Sequence, residues 1–160
     1  MQSTHPDLDG LLAEGPILLY DGECGVCAAS VQWIMSHERT SDLRFAAQQS
    51  DLGARLRRAG GLTDDVDSLI WVERSGAAKP PAGVQTSHHP RTVEVAIWSD
   101  AVLRVLSYVG GPWKILLLLR WLPRFIRHGA YRLFARHRTR FAPVSCLLPL
   151  PEQRARFLGS

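Results

Sequence analysis

The stretch from Pro16 to Trp33, PILLYDGECGVCAASVQW, decides the fold that this sequence predicts. It opens with a short uninterrupted apolar run, Ile17-Leu18-Leu19-Tyr20, which is typical of a buried β-strand. A tight turn is expected at Asp21-Gly22, and beyond it apolar residues recur at helical spacing as far as Met35. The stretch therefore predicts a strand, a turn and a helix over Cys24–Glu38 whose first turn carries two cysteines.

The two cysteines, Cys24 and Cys27, are placed for dithiol chemistry. Residues three apart lie on the same face of a helix, so their sulfur atoms are close enough to join in a disulfide. A thiolate at a helix N-terminus is stabilised by free N–H groups and by the helix dipole. Cys24, nearer the helix start, is therefore predicted to attack, and Cys27 to resolve the mixed disulfide.

Two carboxylates, Asp21 and Glu23, flank this pair. A carboxylate close to Cys24 disfavours the thiolate and so opposes the helix dipole. We therefore predict a reducing couple rather than a strongly oxidising one. Asp21 has two possible roles, which the sequence leaves open: a buried, protonated carboxyl could exchange protons with Cys27, or the side chain could simply hold the turn.

Two other interpretations of the cysteine pair stay open, inert buried thiols and half of a zinc site. Zinc would need about two more ligands, usually a second close pair. The candidates, Cys146 and the neighbours His88-His89, do not form such a pair. The sequence predicts no metal and no cofactor, and thiol-disulfide exchange is the favoured chemistry.

Length and composition predict one domain with a single core, since the chain has 160 residues of which 46% are apolar. Three cysteines are too few for a secreted disulfide scaffold, and residues 1–15 lack the basic and apolar segments of a signal peptide. We therefore expect a cytoplasmic protein, with residues 1–15 as a flexible lead-in.

The order of elements predicts an α/β fold of the thioredoxin-like kind over residues 16–110. Strands are expected at residues 16–20, 43–47, 67–73 and 92–98, and helices at 24–38, 51–59 and 101–109. They would form a small mixed four-stranded sheet with flanking helices. Ser50 is predicted to cap the helix over 51–59, and Ser99-Asp100 the helix over 101–109.

Residues 111–160 are predicted to form a helical, basic extension packed on this core. Residues 1–100 carry 8 Lys and Arg against 14 Asp and Glu, whereas residues 101–160 carry 11 against 1. The apolar run in Trp113–Leu122 is too short to span a bilayer, and Pro123 should end that helix.

The segment Arg124–Arg138 is predicted to be an amphipathic helix whose apolar side chains pack on the domain and whose arginines face outward. The apolar set is Phe125, Ile126, Leu133 and Phe134, and the outward set is Arg127, Arg132, Arg136 and Arg138. The alternative is that residues 113–140 contact a membrane surface or a partner protein, which would make the protein peripheral to the membrane.

These residues resemble those of the DCC family of thiol-disulfide oxidoreductases, which are named for an Asp and two Cys. The pattern Tyr20-Asp21-Gly22-x-Cys24-x-x-Cys27 is similar to the family's motif. The resemblance continues over residues 16–158, in Arg44-Phe45-Ala46, Asp67-Ser68-Leu69, Ser99-Asp100-Ala101, Gly110-Gly111-Pro112-Trp113, Arg138-x-Arg140-Phe141, and Cys146 with Pro151-Glu152.

The resemblance implies a thioredoxin-like fold, with Cys24 as nucleophile, Cys27 as resolving thiol and Asp21 as the acid of the motif. The residues expected to bind substrate or line the site are Tyr20, Gly22, Gly25, Ser99 and Asp100, the last two with helix capping as the alternative. Cys146 is a candidate third thiol if the tail folds back over the motif, or else a buried apolar residue.

The expected partner is a protein that carries a thiol or disulfide, or a small thiol, and no nucleic-acid partner is expected. The alternative function is a non-enzymatic module that docks on a protein or a membrane surface and whose cysteines are structural or bind zinc.

Overall fold

The computed structural model describes residues 8–63, 68–76, 87–88, 93–141 and 151–159. Within them the strands are β1 (Ile17–Tyr20), β2 (Arg44–Ala47), β3 (Ile70–Arg74), β4 (Ser87–His88), β5 (Val93–Ile97) and β6 (Phe157–Leu158). The α-helices are α1 (Leu8–Ala13), α2 (Gly25–His37), α3 (Asp51–Ala59), α4 (Trp98–Val109) and α5 (Arg124–Phe141). Two 3₁₀ helices cover Gly111–Trp121 and Pro151–Arg156.

The strands form one mixed sheet in the order β4-β5-β3-β1-β2-β6. β1 pairs in parallel with β2 and antiparallel with β3, and β2 pairs in parallel with β6. The inner four strands are the four that the sequence predicts, which gives the expected thioredoxin-like α/β arrangement. The prediction of four strands was nevertheless wrong in number, because the edge strands β4 and β6 have two residues each and so carry no periodic signal.

β1 is buried along its whole length because apolar layers cover both faces of the sheet. Leu18 and Phe45 belong to the layer that the sheet shares with α2 and α4. Ile17 and Leu19 belong to the opposite layer, which contains side chains of α1 and α3. A strand covered on both faces needs apolar residues at every position, which explains the uninterrupted run in the sequence.

Residues 8–13 of the predicted lead-in form a helix, so the expectation of a flexible segment was wrong there. Leu12 is buried in the core, and the guanidinium of Arg44 binds both the carbonyl of Leu11 and, at 2.7 Å, the carboxylate of Glu14. One buried leucine in a six-residue helix is too little for a recognisable helical pattern.

The helix starts agree with the sequence in one case and differ in two. Ser50 caps α3 as predicted, since its hydroxyl accepts a hydrogen bond from the N–H of Gly53 at 3.1 Å. α2 begins at Gly25, one residue later than predicted, with Cys24 in the capping position. α4 begins at Trp98 and not after Ser99-Asp100, so the capping role predicted for that pair was wrong.

The C-terminal part begins with a 3₁₀ helix where the sequence predicts an ordinary helix. Its Trp113 packs edge-on against Trp33 of α2, with ring centroids 4.9 Å apart. Pro123 separates this helix from α5, as expected. Within the described residues, no helix combines the length and the apolar character needed to cross a bilayer.

The predicted orientation of α5 was wrong for its apolar residues and for Arg127, whereas Arg132 and Arg136 are exposed as predicted and the side chain of Arg138 lies outside the described residues. Phe125, Ile126, Leu133 and Phe134 are exposed, with Phe125 76% and Leu133 62% accessible, whereas Arg127 is only 6% accessible. The helix is amphipathic, but its apolar side chains face solvent and Arg127 faces the rest of the molecule.

Candidate functional site

Four chain segments meet at the edge of the sheet that is formed by the ends of the strands, not by an edge strand. The strand registers show why. β1 runs towards this edge and ends at Tyr20, whereas the antiparallel β3 starts there, since Leu19 pairs with Ile70. β5 runs antiparallel to β3 and therefore also ends at this edge, beside the start of β3. The cysteine motif, the end of β2, the start of β3 and the start of α4 are thus brought together, although they are far apart in sequence.

The dithiol lies where β1 passes into α2. Cys24 has an extended backbone, and its N–H donates to the carbonyl of Asp21 at 3.2 Å while its carbonyl accepts from the N–H of Ala28 at 3.0 Å. Cys27 lies in the first turn of α2. Neither cysteine is in a disulfide, and the two residues are only 7% and 5% accessible. The first turn of a helix thus holds two close, largely shielded thiols.

Asp21 organises the turn before the dithiol. Its Oδ1 accepts hydrogen bonds from the N–H of Glu23 at 3.0 Å and from the side-chain amide of Gln49 at 2.8 Å. Gln49 in turn accepts from the N–H of Gly22 at 3.2 Å. These contacts support the turn-holding role that the sequence left open, and the proton-exchange role remains a prediction.

Gln48 and Gln49 were missed by the sequence reasoning, although both tie the end of β2 to the site. The N–H of Gln48 donates to the carbonyl of Tyr20 at 2.9 Å, and its side-chain amide donates to the carbonyl of Ser68 at 2.5 Å. The two polar residues after a buried strand were the available signal.

The other motif residues lie around the thiols. Tyr20 is buried in the same apolar layer as both cysteines, where its ring meets that of Phe157 edge-on at 6.2 Å. Gly22 is half-buried in the turn, and Gly25 is buried at the start of α2. The structure therefore brings together the motif residues that the sequence predicts for the site.

Ser99 and Asp100 also lie at this edge, but their described contacts are with α5. Asp100 accepts from Arg124 at 2.5 Å and from Arg127 at 3.2 Å. The Ser99 hydroxyl lies 3.0 Å from Nδ1 of His128. Both residues are buried, so at this end of the site their observed role is to hold α5 in place.

His128, to which the sequence reasoning gave no function, is half-buried in this cluster. Burial lowers its pKa from the usual 6.5, and the positive charges of Arg124, Arg127 and Arg132 act in the same direction. The nearby charge of Asp100 opposes this shift. The imidazole is therefore held towards its neutral form.

α5 reaches a second element of the site through Tyr131, whose hydroxyl accepts from the N–H of Leu69 at 3.3 Å. Leu69 directly precedes β3, and α5 also contacts α2. The helix thus links the starts of α4 and β3 and lies along the edge that holds the dithiol.

An apolar groove of about 340 Å³ opens next to the motif, between α2 and α4. Val26, which stands between the two cysteines, lines one end of it. Its other walls are almost entirely apolar and include Trp33, Leu69, Val102 and Leu106. An apolar side chain of a bound molecule would fit in this groove, in contact with Val26.

The described part of the chain contains no cluster of three or more His, Cys, Asp or Glu residues that could hold a metal ion. Cys146 lies outside the described residues, and so do the side chains of His88 and His89. The roles considered for these three residues therefore stay predictions.

Residues 18–143 match the family model of the DCC1-like thiol-disulfide oxidoreductases. The chain belongs to this family. This confirms the resemblance seen in the sequence and, for the DCC-like chain, supports a role in redox chemistry at thiols.

Two relatives are similar to this DCC-like protein over most of its length. The uncharacterized protein YuxK of Bacillus subtilis is 28% identical over 145 residues, which cover 89% of this chain and 93% of the relative. A chloroplastic DCC family protein of Arabidopsis thaliana is 30% identical over 125 residues, which cover 77% of this chain and 62% of the relative. No solved structure matches the chain.

Proposed function

We propose that this protein is a thiol-disulfide oxidoreductase in which Cys24 attacks and Cys27 resolves. The observation that carries the proposal is the close Cys24–Cys27 pair at the start of α2, with neither residue in a disulfide, in a chain of the DCC-like family. Cys24 occupies the capping position of α2, beside the first helical turn, whose N–H groups attract negative charge.

In the proposed reaction, the Cys24 thiolate attacks one sulfur of a substrate disulfide. A mixed disulfide forms, the substrate's S–S bond breaks, and the leaving sulfur takes up a proton. The Cys27 thiolate then attacks the Cys24 sulfur, which releases the second substrate thiol and leaves Cys24 and Cys27 joined. Two electrons pass from the protein to the substrate, and another thiol must reduce the pair before the next turnover.

The substrate is proposed to be a disulfide-bearing protein rather than a small disulfide alone. Both cysteines are largely shielded, so an incoming disulfide must be steered into contact with them. The groove beside Val26 supplies apolar contacts of the kind that a protein segment with an apolar side chain near its cysteine would use. The proposed compartment is the cytoplasm, where thiols are kept reduced.

The test is trapping of the mixed disulfide. The reduced protein is mixed with a disulfide-bearing protein, and the products are followed by non-reducing electrophoresis and intact mass. Cys27→Ser should accumulate a covalent adduct through Cys24, whereas Cys24→Ser should form no such adduct and show only background exchange. Exchange that persists in Cys24→Ser would contradict the proposed roles.

Cys146→Ser is the matched control because it removes a thiol that lies outside the motif. Exchange should continue in this variant, and loss of exchange would instead favour Cys146 as a third redox thiol. The metal content of the same preparation tests the non-enzymatic alternative, since a zinc-bound pair would carry stoichiometric metal and resist oxidation.

A further inference from the structure

We propose that the segment from Ile115 to Phe134 docks on the surface of an anionic lipid bilayer. This segment comprises most of the first 3₁₀ helix and the first half of α5. It includes ten large apolar side chains that are exposed to water. A continuous exposed apolar surface of this kind marks an interaction site more often than an ordinary surface.

The first reason is that α5 exposes apolar side chains to solvent, whereas a helix that packs on a core buries them. Its inward side bears Arg124, Arg127, His128 and Tyr131, which bind Ser99, Asp100 and the N–H of Leu69. Its outward side bears Phe125, Ile126, Leu133 and Phe134. The polar side thus makes its described contacts with the protein, whereas Phe125, Ile126 and Leu133 are exposed to water.

The second reason is the shape of the apolar surface on the 3₁₀ helix. A helix of this kind has three residues per turn, so residues three apart line up along one side. One side carries Ile115, Leu118 and Trp121, the next carries Leu116, Leu119 and Leu122, and all six are exposed. The third side, with Leu117, packs against the domain.

Two exposed apolar sides favour lipid over a protein partner. A fluid layer of acyl chains can surround both sides of a helix at once, whereas a protein surface usually covers one face. Trp121, at 81% accessible, lies at the end of the 3₁₀ helix, and tryptophan is favoured at the boundary between lipid and water.

The charge distribution selects an anionic surface. From Ala101 to Pro151 the sequence has no carboxylate, and the exposed cations Lys114, Arg132 and Arg136 lie among the apolar residues. A second copy of the chain docked through the same segment would bring positive charge against positive charge, whereas an anionic lipid surface attracts these groups. Since no described helix can cross the bilayer, docking would be along the surface.

This inference is independent of the dithiol reaction, and the experiment keeps the two apart. The full-length protein is mixed with vesicles of phosphatidylcholine containing about 30% phosphatidylglycerol, and bound protein is separated by flotation. The wild type should float with these vesicles, bind vesicles of phosphatidylcholine alone far more weakly, and dissociate progressively as salt is added. Cys24→Ser should bind as the wild type does.

The double variant Leu118→Asp/Phe125→Asp places two negative charges on the apolar surface and should lower vesicle binding about tenfold or more. Both side chains are exposed, so the fold should tolerate the change, and circular dichroism checks this. Gln32→Asp, at an exposed position of α2, is the matched control and should bind normally.

Three results would overturn the proposal. The first is no binding to the anionic vesicles, and the second is unchanged binding by the double variant. The third is a dimer of the free wild-type protein that the double variant loses in sedimentation, because the surface would then be an interface between copies of the chain.

Discussion

Removing the carboxylate of Asp100 should release α5 from the rest of the molecule. The side chains of Asp100 and Arg127 are 2% and 4% accessible and lie 3.2 Å apart. Two other nitrogen atoms of Arg127, Nε and Nη1, are buried without a hydrogen-bond partner. In Asp100→Ala the guanidinium would therefore lose its described ion-pair partner while remaining out of contact with water.

The expected magnitude follows from this burial. Removing one member of a buried ion pair costs about 3–5 kcal/mol, because the remaining charge is left uncompensated. In the second ion pair, between Asp100 and Arg124, the arginine side chain is 40% accessible. Because water screens this pair, it contributes less than about 1 kcal/mol. We therefore expect Asp100→Ala to lower the free energy of holding α5 in place by about 3 kcal/mol.

The assay combines two measurements on wild type and variant. Urea unfolding, followed by circular dichroism, measures the lost free energy if α5 unfolds together with the rest of the chain. Hydrogen exchange of the amides in residues 124–134 reports it if α5 detaches alone. The matched control, Arg124→Ala, should cost about 0.5 kcal/mol by the same measurements.

A second variant separates an ion-pair effect from simple loss of packing. Asp100→Ala/Arg127→Met removes both charges of this buried pair. The double variant should therefore recover at least about half of the stability that Asp100→Ala loses. A loss below about 1 kcal/mol in Asp100→Ala, with unchanged exchange in α5, would refute the claim that this buried pair fixes the helix.

The pKa shifts of His128 and Glu73 predict how the stability of the protein depends on pH. Burial lowers the pKa of His128 below 6.5, so the stability that its neutral form contributes is present above that value and is lost as pH falls through the folded pKa. In urea titrations from about pH 8 to about pH 5, the wild type should lose more stability than His128→Asn, and equal losses would count against this assignment. Burial raises the pKa of Glu73 above 4.5, although a hydrogen bond from Trp71 and the charge of Arg104 oppose the shift. The stability contributed by protonated Glu73 is therefore complete below 4.5 and declines as pH rises through the folded pKa, so the wild type should lose stability relative to Glu73→Gln from about pH 4 to about pH 7. A constant difference between the two proteins over that range would show that the shift is absent.

The central part of the fold could be predicted because its sequence signals are local. The apolar run at Ile17–Tyr20 is continuous because both faces of β1 are covered, and Ser50 precedes α3 with its hydroxyl free to cap. The dithiol was predictable for the same reason, since the spacing of Cys24 and Cys27 fixes their placement on one helical turn.

The orientation of α5 could not be predicted because periodicity gives two faces of a helix but does not say which one packs inward. The hydrophobic effect generally favours burial of the apolar face, so the sequence predicts that this face packs inward. Here the inward face is held by contacts with residues on other elements, above all the ion pair between the buried carboxylate of Asp100 and Arg127. Such a long-range contact leaves no mark in the local pattern.

The start of α4 and the role of Gln49 were missed for related reasons. Ser99 and Asp100 have the composition of a helix cap, yet α4 begins at Trp98, whose positive φ of 55° is rare outside glycine and leaves no local sequence signal. Gln49 bonds to residues 27 and 28 positions away in sequence, so the folded chain was needed to show it.

The strand directions also identify the edge of the sheet that lies farthest from the cysteines. β3 leaves the thiol edge and ends at Arg74, and β5 begins on the far side at Val93 and returns. The end of β3 and the start of β5 therefore both lie at the edge opposite the cysteines, with the exposed residues Ser75 and Gly76 directly after β3. A fluorophore, an affinity tag or a tether to a solid support attached at Ser75 or Gly76 would leave the cysteine end of the sheet unobstructed, so that the reactivity of the thiols could be measured on an immobilised molecule.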